Sequence, residues 1–402
     1  MWGLFQLTFT IGNIPMDIID SFFTAIIDNT KEFLGDNEFS SIIADGAISG
    51  VGSVVLFLPN IVILFFGIAL LETTGYMSRV AFLLDGFFHK FGLHGKSFIP
   101  LVTGFGCSVP AYMAARTLKN ERDRLLTLFI IGFMSCGARL PIYVLFVGAF
   151  FSESNAGNIL FLIYISGAIF GLIAAKVLKI VVFKSEDEPF VMEMPKYRLP
   201  SFRLIYHTVS NQAKMYLKKA GTYILAASLL IWFASNYPKH LDIEHSYNEK
   251  IELTMNTDEK TTLKNELSQY NLEHSYLGYI GKYSEPLFQP LGFDWKMTIA
   301  LETGLAAKEI VISTLSILYG LGSENDESSS SLMEKIKNNI TIESAISFIV
   351  FVMIYLPCLA ASMVFVREAG NWKYLSYLFI FTTISAWLLS FFAYNISKII
   401  VT

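Results

Sequence analysis

The sequence predicts an all-α polytopic transmembrane helical bundle of about eight spans, with two pseudo-repeated halves and broken helices. Three observations carry that reading. The 402-residue chain is 53% hydrophobic, 15% aromatic and only 16% charged, too apolar for a soluble domain of this length. A spanning helix needs about 20 mostly apolar residues, and the stretches 51–72, 98–118, 125–151, 158–183, 221–237, 294–318, 341–366 and 374–400 meet that requirement. Two of them, 98–118 and 294–318, are interrupted by glycine and polar residues at a depth where lipid offers no hydrogen bonds.

Residues 1–50 read as an N-terminal amphipathic, interfacial segment. Its start, "MWGLFQLTFTIGNIPMDIIDSFF", lacks the basic opening and small-residue cleavage site of a signal peptide, so it is expected to be retained. The first half follows at 51–183. A linker, 184–220, carries Lys184, Lys196, Arg198, Arg203, Lys214, Lys218 and Lys219, and the turn at 116–124 carries Arg116, Lys119, Arg122 and Arg124. Basic loops stay inside, so both are expected on the cytoplasmic face. The second half, 221–402, then has an outer acidic loop at 238–293, and both termini are cytoplasmic. Arg79, Lys90, Lys96, Arg367 and Lys373 fall on the outer side, against the rule. Net charge is −4, which leaves no basic footprint for nucleic acid.

The interruptions hold the chemistry. In "TGFGCSVPAYMAAR", 103–116, Gly104, Gly106, Ser108 and Pro110 break the helix around Cys107. In "FMSCGARLPIY", 133–143, Ser135, Cys136, Gly137, Arg139 and Pro141 do the same, and an arginine so deep costs on the order of 3 kcal/mol unless it finds a partner or water. "LETGLAAKEIVISTL", 301–315, places Glu302 and Glu309 seven residues apart, nearly one face of a continuous helix. Between them Gly304 can unwind the helix, and Lys308 can neutralise one acid. "IYLPCLAAS", 354–362, again sets Pro357 beside Cys358. Each half thus holds a small-residue break followed by a Pro/Cys break, the pattern of transporters built from two related halves. The plainer reading is close helix packing by small residues, with cysteine as a small buried hydrophobe. Against it stands the clustering of thiols, carboxylates and buried charge. Soft thiolate and hard carboxylate together suit a borderline cation such as ferrous iron.

With these motifs the chain resembles the membrane domain of the ferrous-iron transport protein B (FeoB) family. The first gate region is similar to "LLETTGYMSRVAF…GLHGKSFIPLVTGFGCSVPAYMAARTLKNERDRLLT…FMSCGARLPIYVLFVGAFF", the second to "TGLAAKEIVISTL" followed by "LPCLAASMVFVREAGNWKY". The resemblance covers nearly the whole chain. It implies Fe²⁺, as the transported substrate, taken up across the prokaryotic cytoplasmic (inner) membrane, with Cys107, Cys136 and Cys358 matching gate cysteines proposed to line the metal path and Glu302 and Glu309 lying in the second gate. The family normally carries an N-terminal cytosolic GTP-binding domain, and this chain resembles the part that follows it. The implied partners are therefore that GTPase, in the same chain or a separate one, and a small accessory Feo protein, in the lipid bilayer; a homo-oligomer stays open. Two positions depart from the family. Thr73 follows Glu72 where an acid pair is common, and Gly132 stands where a proline is common before Phe-Met-Ser-Cys.

On this reading Glu72, Glu302 and Glu309 attract the cation, the three thiols hold it transiently, and Arg139 and Lys308 act as gating counter-charges. Two motifs are decoys. "GLHGKSF", 92–98, ends like a phosphate loop, yet the glycine required five positions before Gly95 is Lys90, so no nucleotide site is expected. His240, Asp242, Glu244 and His245 in "HLDIEH" could capture a metal but read first as a solvated loop. His89 and His94 read as interfacial polar residues, and "SENDESSSS", 323–331, as a flexible connection. With no His-Glu-x-x-His helix and no Gly-x-Ser-x-Gly elbow, the chain is expected not to be an enzyme. Alternatives are a transporter of Mn²⁺ or Zn²⁺, or a membrane scaffold that recruits a GTPase through 184–220.

Overall fold

A computed structural model describes residues 2–35, 38–56, 58–183, 199–217, 221–239, 241–253, 257–321 and 329–401. All regular structure among them is helical. Three helices are long and apolar enough to cross a membrane: Ser154–Val181, Ile342–Ala369 taken through its short break, and Trp372–Ile400. A fourth candidate is the pair Leu58–Thr73 and Tyr76–His89, bent by 76°. The other expected spans are made of shorter pieces: Phe98–Gly104 with Ser108–Ala114, Glu121–Ile131 with Leu140–Phe150, Gly221–Asn236, and Trp295–Thr303 with Ile310–Leu318. Each piece is below the length that spans hydrocarbon alone.

The chain divides into two compact units that interleave along the sequence: Met1–Cys136, Ser166–Leu229 and Leu359–Leu378 form the first, and Gly137–Ile165, Leu230–Cys358 and Phe379–Thr402 the second. Two of the crossings follow directly on a Pro/Cys or Ser/Cys break, at Cys136 and at Cys358.

In the first unit the N-terminal helix Trp2–Leu34 and the helix Phe202–Met215 both pack on Leu58–Thr73. That helix ends where the Thr73 hydroxyl bonds back to Ala69 O (2.7 Å) and the chain turns through Gly75 at φ +78°, a conformation open to glycine at no steric cost. The Gly-Lys-Ser stretch is a short 3₁₀ turn, Gly95–Ser97. Its Gly95 N–H donates to Asp85 Oδ1 (2.7 Å), Ser97 shares a hydrogen bond with Thr127 (2.8 Å), and His94 caps the turn by accepting from Lys96 N (3.2 Å).

The second unit corrects one expectation. The stretch 238–293, expected as an outer loop, forms among its described residues the helices Leu241–Leu253, Thr257–Glu273 and Tyr276–Phe288. Its polar composition hides sparse apolar anchors: Leu272 and Leu277 are buried with Ile299 and Leu318 in one cluster. Burial of Leu272 anchors Thr257–Glu273, a helix with little apolar periodicity of its own. His240 lies outside the described residues, as do 184–198, 218–220 and 322–328; Glu244 accepts from Asn271 Nδ2 (3.3 Å).

Candidate functional site

In the first unit the helix Phe98–Gly104 stops in a tight turn. Gly106 N and Cys107 N both donate to Thr103 O, at 3.0 and 3.1 Å, and Cys107 is extended (φ −154°, ψ 132°) before the helix Ser108–Ala114 begins. Pro110 is buried in that helix's first turn, where no intrahelical N–H donor is needed. The second break follows the helix Glu121–Ile131. Phe133 N and Met134 N bond to Ile130 O and Ile131 O, and Cys136 precedes the 3₁₀ turn Gly137–Arg139, after which Pro141 sits in the first turn of Leu140–Phe150. The helix stops at Gly132 without the proline common in the family, because two consecutive reverse turns end it. The two breaks approach each other closely: a Cβ on Gly104 would lie 3.0 Å from Met134 Cβ. Glu72 is exposed at the end of Leu58–Thr73, beside the 76° bend.

In the second unit the helix Trp295–Thr303 ends at Gly304 and a new helix starts at Ile310. This overturns the facing argument for the two carboxylates. Seven residues set Glu302 and Glu309 on one side only of a continuous helix, and the helix is unwound between them. Gly304 is required by crowding, since a Cβ there would lie 2.5 Å from Val311 Cγ2 and 2.7 Å from the Tyr355 hydroxyl. Glu302 Oε1 accepts from Ser284 Oγ (2.6 Å), while its Oε2 is buried and accepts from no described residue. Glu309, half-buried, leads into the helix Ile310–Leu318.

The buried cations have specific partners. Arg139, 2% exposed, donates Nη1 to Met353 O (2.8 Å) and Nη2 to Tyr355 O (3.0 Å). Lys308, 1% exposed, donates Nζ to Leu356 O (2.9 Å) and lies 3.1 Å from the centre of the Tyr355 ring. Both therefore converge on the end of the helix Ile342–Ile354 and the unwound segment that leads through buried Pro357 to Cys358. The last carbonyls of a helix lack intrahelical partners and carry partial negative charge, so two cations there satisfy acceptors and offset the dipole together. Sequence reasoning found both cations but none of these carbonyls, and it missed Ser284 because that residue fell in the supposed outer loop.

None of the three cysteines is in a disulfide; all are half-buried, and each is the last non-helical residue before a new helix or 3₁₀ turn. Among the described residues no three His, Cys, Asp or Glu side chains come together as a group that could hold a metal.

A chain whose described residues form only helices, with apolar helices broken around thiols, carboxylates and buried cations, is a polytopic membrane protein of the broken-helix class. The family model described as "Gate: Nucleoside recognition" matches residues 54–150 and 217–372, and the one described as "Ferrous iron transport protein B C terminus" matches 160–211. A Campylobacter jejuni protein named Fe(2+) transporter FeoB is 60% identical over 400 residues, covering 100% of this chain and 62% of that one. Its Helicobacter pylori (strain J99) namesake is 52% identical over 410 residues, covering 100% and 64%. A Porphyromonas gingivalis protein named Fe(2+) transport protein A/Fe(2+) transporter FeoB fusion protein is 43% identical over 413 residues, covering 98% and 49%. The chain thus spans less than two thirds of the length of these relatives. No solved structure matches it with significance. The chain belongs to the ferrous iron transport protein B family, of which it contains the Gate domain and the C-terminal domain.

Proposed function

We propose that this chain takes up Fe²⁺ across the cytoplasmic membrane of a prokaryote, through a path lined by Cys107, Cys136 and Cys358 and by Glu72, Glu302 and Glu309. The observation that carries the reading is the placement of the cysteines. Every thiol in the chain stands at a helix break rather than within a helix, half-buried, where the backbone is free of the regular ladder. Non-helical backbone at membrane depth is tolerated where it lines a cavity or is buried in protein. The names of the relatives support Fe²⁺ as the cargo.

The ligands act in sequence. A rigid, closed set would trap the ion, whereas partial coordination with retained waters lets it enter and leave. Arg139 and Lys308 act as gating counter-charges: bound to the carbonyls before Cys358, they keep those acceptors from competing for the cargo. The two small-residue breaks and two Pro/Cys breaks make the chain a pair of pseudo-repeated gate halves, 51–183 and 221–402, joined by the cytoplasmic linker 184–220, with both termini inside. A GTP-binding domain, in the same chain or a separate one, is the expected partner, whether transport is GTP-driven, proton-linked or channel-like. The fused Porphyromonas relative supports a small A-type protein as a further partner.

Reconstituted in liposomes, with and without an added GTPase, the protein is expected to load Fe²⁺ and to lose most of that uptake on Cys107→Ser or Glu302→Gln at unchanged folding. Undiminished uptake in both variants overturns the site assignment. Mn²⁺ or Zn²⁺ carried in preference to Fe²⁺ overturns the cargo, and tight GTPase binding without any metal flux makes the chain a recruiting scaffold instead.

A further inference from the structure

The helix Tyr276–Phe288 lies against Trp295–Thr303. Gly281 faces Ile299 so closely that a Cβ would come within 2.9 Å of Ile299 Cδ1. Ser284 shares a helical face with Gly281, and Glu302 with Ile299, since positions i and i+3 lie on one side of a helix. Across these packed faces Ser284 Oγ lies 2.6 Å from Glu302 Oε1.

The serine has one proton and three acceptors within reach: Ile280 O at 2.8 Å, Gly281 O at 3.3 Å and Glu302 Oε1 at 2.6 Å. The two carbonyls belong to a helix whose own amides bond back to them four residues on. A carboxylate oxygen is the stronger acceptor, because charge-assisted hydrogen bonds are shorter and about twice as strong as neutral ones. The proton therefore goes to Glu302. One carboxylate oxygen is then held, and the other, Oε2, is buried without a hydrogen bond from any described residue.

We propose that Ser284 is a positioning residue that holds Oε1 of Glu302 so that the carboxylate meets a metal cation through Oε2 alone, and that this one-oxygen contact discriminates against Ca²⁺. The inference rests on the reading of Glu302 as a ligand of the transported ion. Its physical basis is ligand number. Ca²⁺ takes 6–8 oxygens and often draws both oxygens of a carboxylate to reach that number, while a first-row transition cation is satisfied by fewer ligands of mixed N, O and S character. A carboxylate restricted to one oxygen, with thiols elsewhere on the path, serves the second kind of ion and starves the first.

The test is Fe²⁺ uptake into proteoliposomes with Ca²⁺ as competitor, for the unmodified protein and for Ser284→Ala, Ser284→Thr and Glu302→Gln. Loss of the hydroxyl in Ser284→Ala is expected to raise the Fe²⁺ concentration for half-maximal uptake about tenfold and to make Ca²⁺ an effective inhibitor. Ser284→Thr, which keeps the donor, restores both. If Ser284→Ala does not insert, Ser284→Gly removes the hydroxyl without adding a donor or a metal ligand and is judged on Ca²⁺ inhibition alone. Wild-type half-saturation and no Ca²⁺ inhibition in the donor-less variants, with Glu302→Gln inactive, overturns the positioning role and leaves the proposed function standing. Equal losses in Ser284→Ala and Ser284→Thr likewise overturn it, as a packing defect. Full uptake by Glu302→Gln removes the ligand itself, and the inference falls with it.

Discussion

The two broken hairpins, Phe98–Ala114 in the first unit and Trp295–Leu318 in the second, solve one backbone problem with different chemistry. In the first, the break is three residues long, 105–107, and neutral; Thr103 O takes two amides, and the thiol of Cys107 is its only ionisable group. In the second, the break runs from Gly304 to Glu309 and carries Lys308 and Glu309, with Glu302 just before it. A short break closes on its own turns. A longer one leaves backbone and charge that only distant elements can satisfy, here Leu356 O for Lys308 and Ser284 for Glu302. The second hairpin is therefore the one whose integrity depends on the rest of its unit.

That contrast can be broken most forcefully at Arg139. Arg139→Met leaves Met353 O and Tyr355 O without their donors and is expected to cost about 3–5 kcal/mol, seen as a large fall in the thermal midpoint of the purified protein in detergent. Arg139→Lys recovers only part, because an ammonium cannot present two donors in a planar fork. An unchanged midpoint in Arg139→Met means that the carbonyls at this break do not need the guanidinium.

The glycines sharpen the comparison at smaller scale. Gly304→Ala drives a Cβ into Val311 and the Tyr355 hydroxyl and is expected to cost about 1–3 kcal/mol by overpacking. Gly104→Ala meets Met134 Cβ at 3.0 Å, a milder crowding than the 2.5 Å approach at Gly304, and is expected to cost less, about 1 kcal/mol. Chemical denaturation of the two variants side by side reads the difference; equal costs erase the distinction between the hairpins.

The smallest effect is expected at the ion pair of Arg116 with Glu368, which ties the end of the first hairpin to the helix Leu359–Ala369 within the first unit. Glu368 is buried but the Arg116 side chain is 44% exposed, so solvent screens the pair. Arg116→Ala is expected to lower stability by about 1 kcal/mol or less, with the loss shrinking as salt is raised. A salt-independent loss of several kcal/mol shows that the pair bears on the first unit as Arg139 does on the second.

The sequence by itself determined the features that are encoded locally. Apolar runs of spanning length marked 158–183, 341–366 and 374–400, and glycine and proline marked the breaks at Cys107, Cys136, Gly304 and Cys358, because a missing N–H or a missing Cβ acts within a turn of its own position. Even the departure at Gly132 changed nothing, since the turns after Ile130 end that helix without a proline. What only the tertiary structure decided is where charge and polarity find partners. Arg139 reaches carbonyls 214 and 216 residues away, Lys308 one 48 residues away, and Ser284 meets Glu302 through two helices of which one had read as a loop. The orientation of Glu302 and Glu309 belongs there too: their spacing implies a shared face only while the helix is continuous, and Gly304, crowded by Val311 and Tyr355, is where it stops. Burial and hydrogen-bond reach are properties of packed surfaces, and no local pattern of residues contains them.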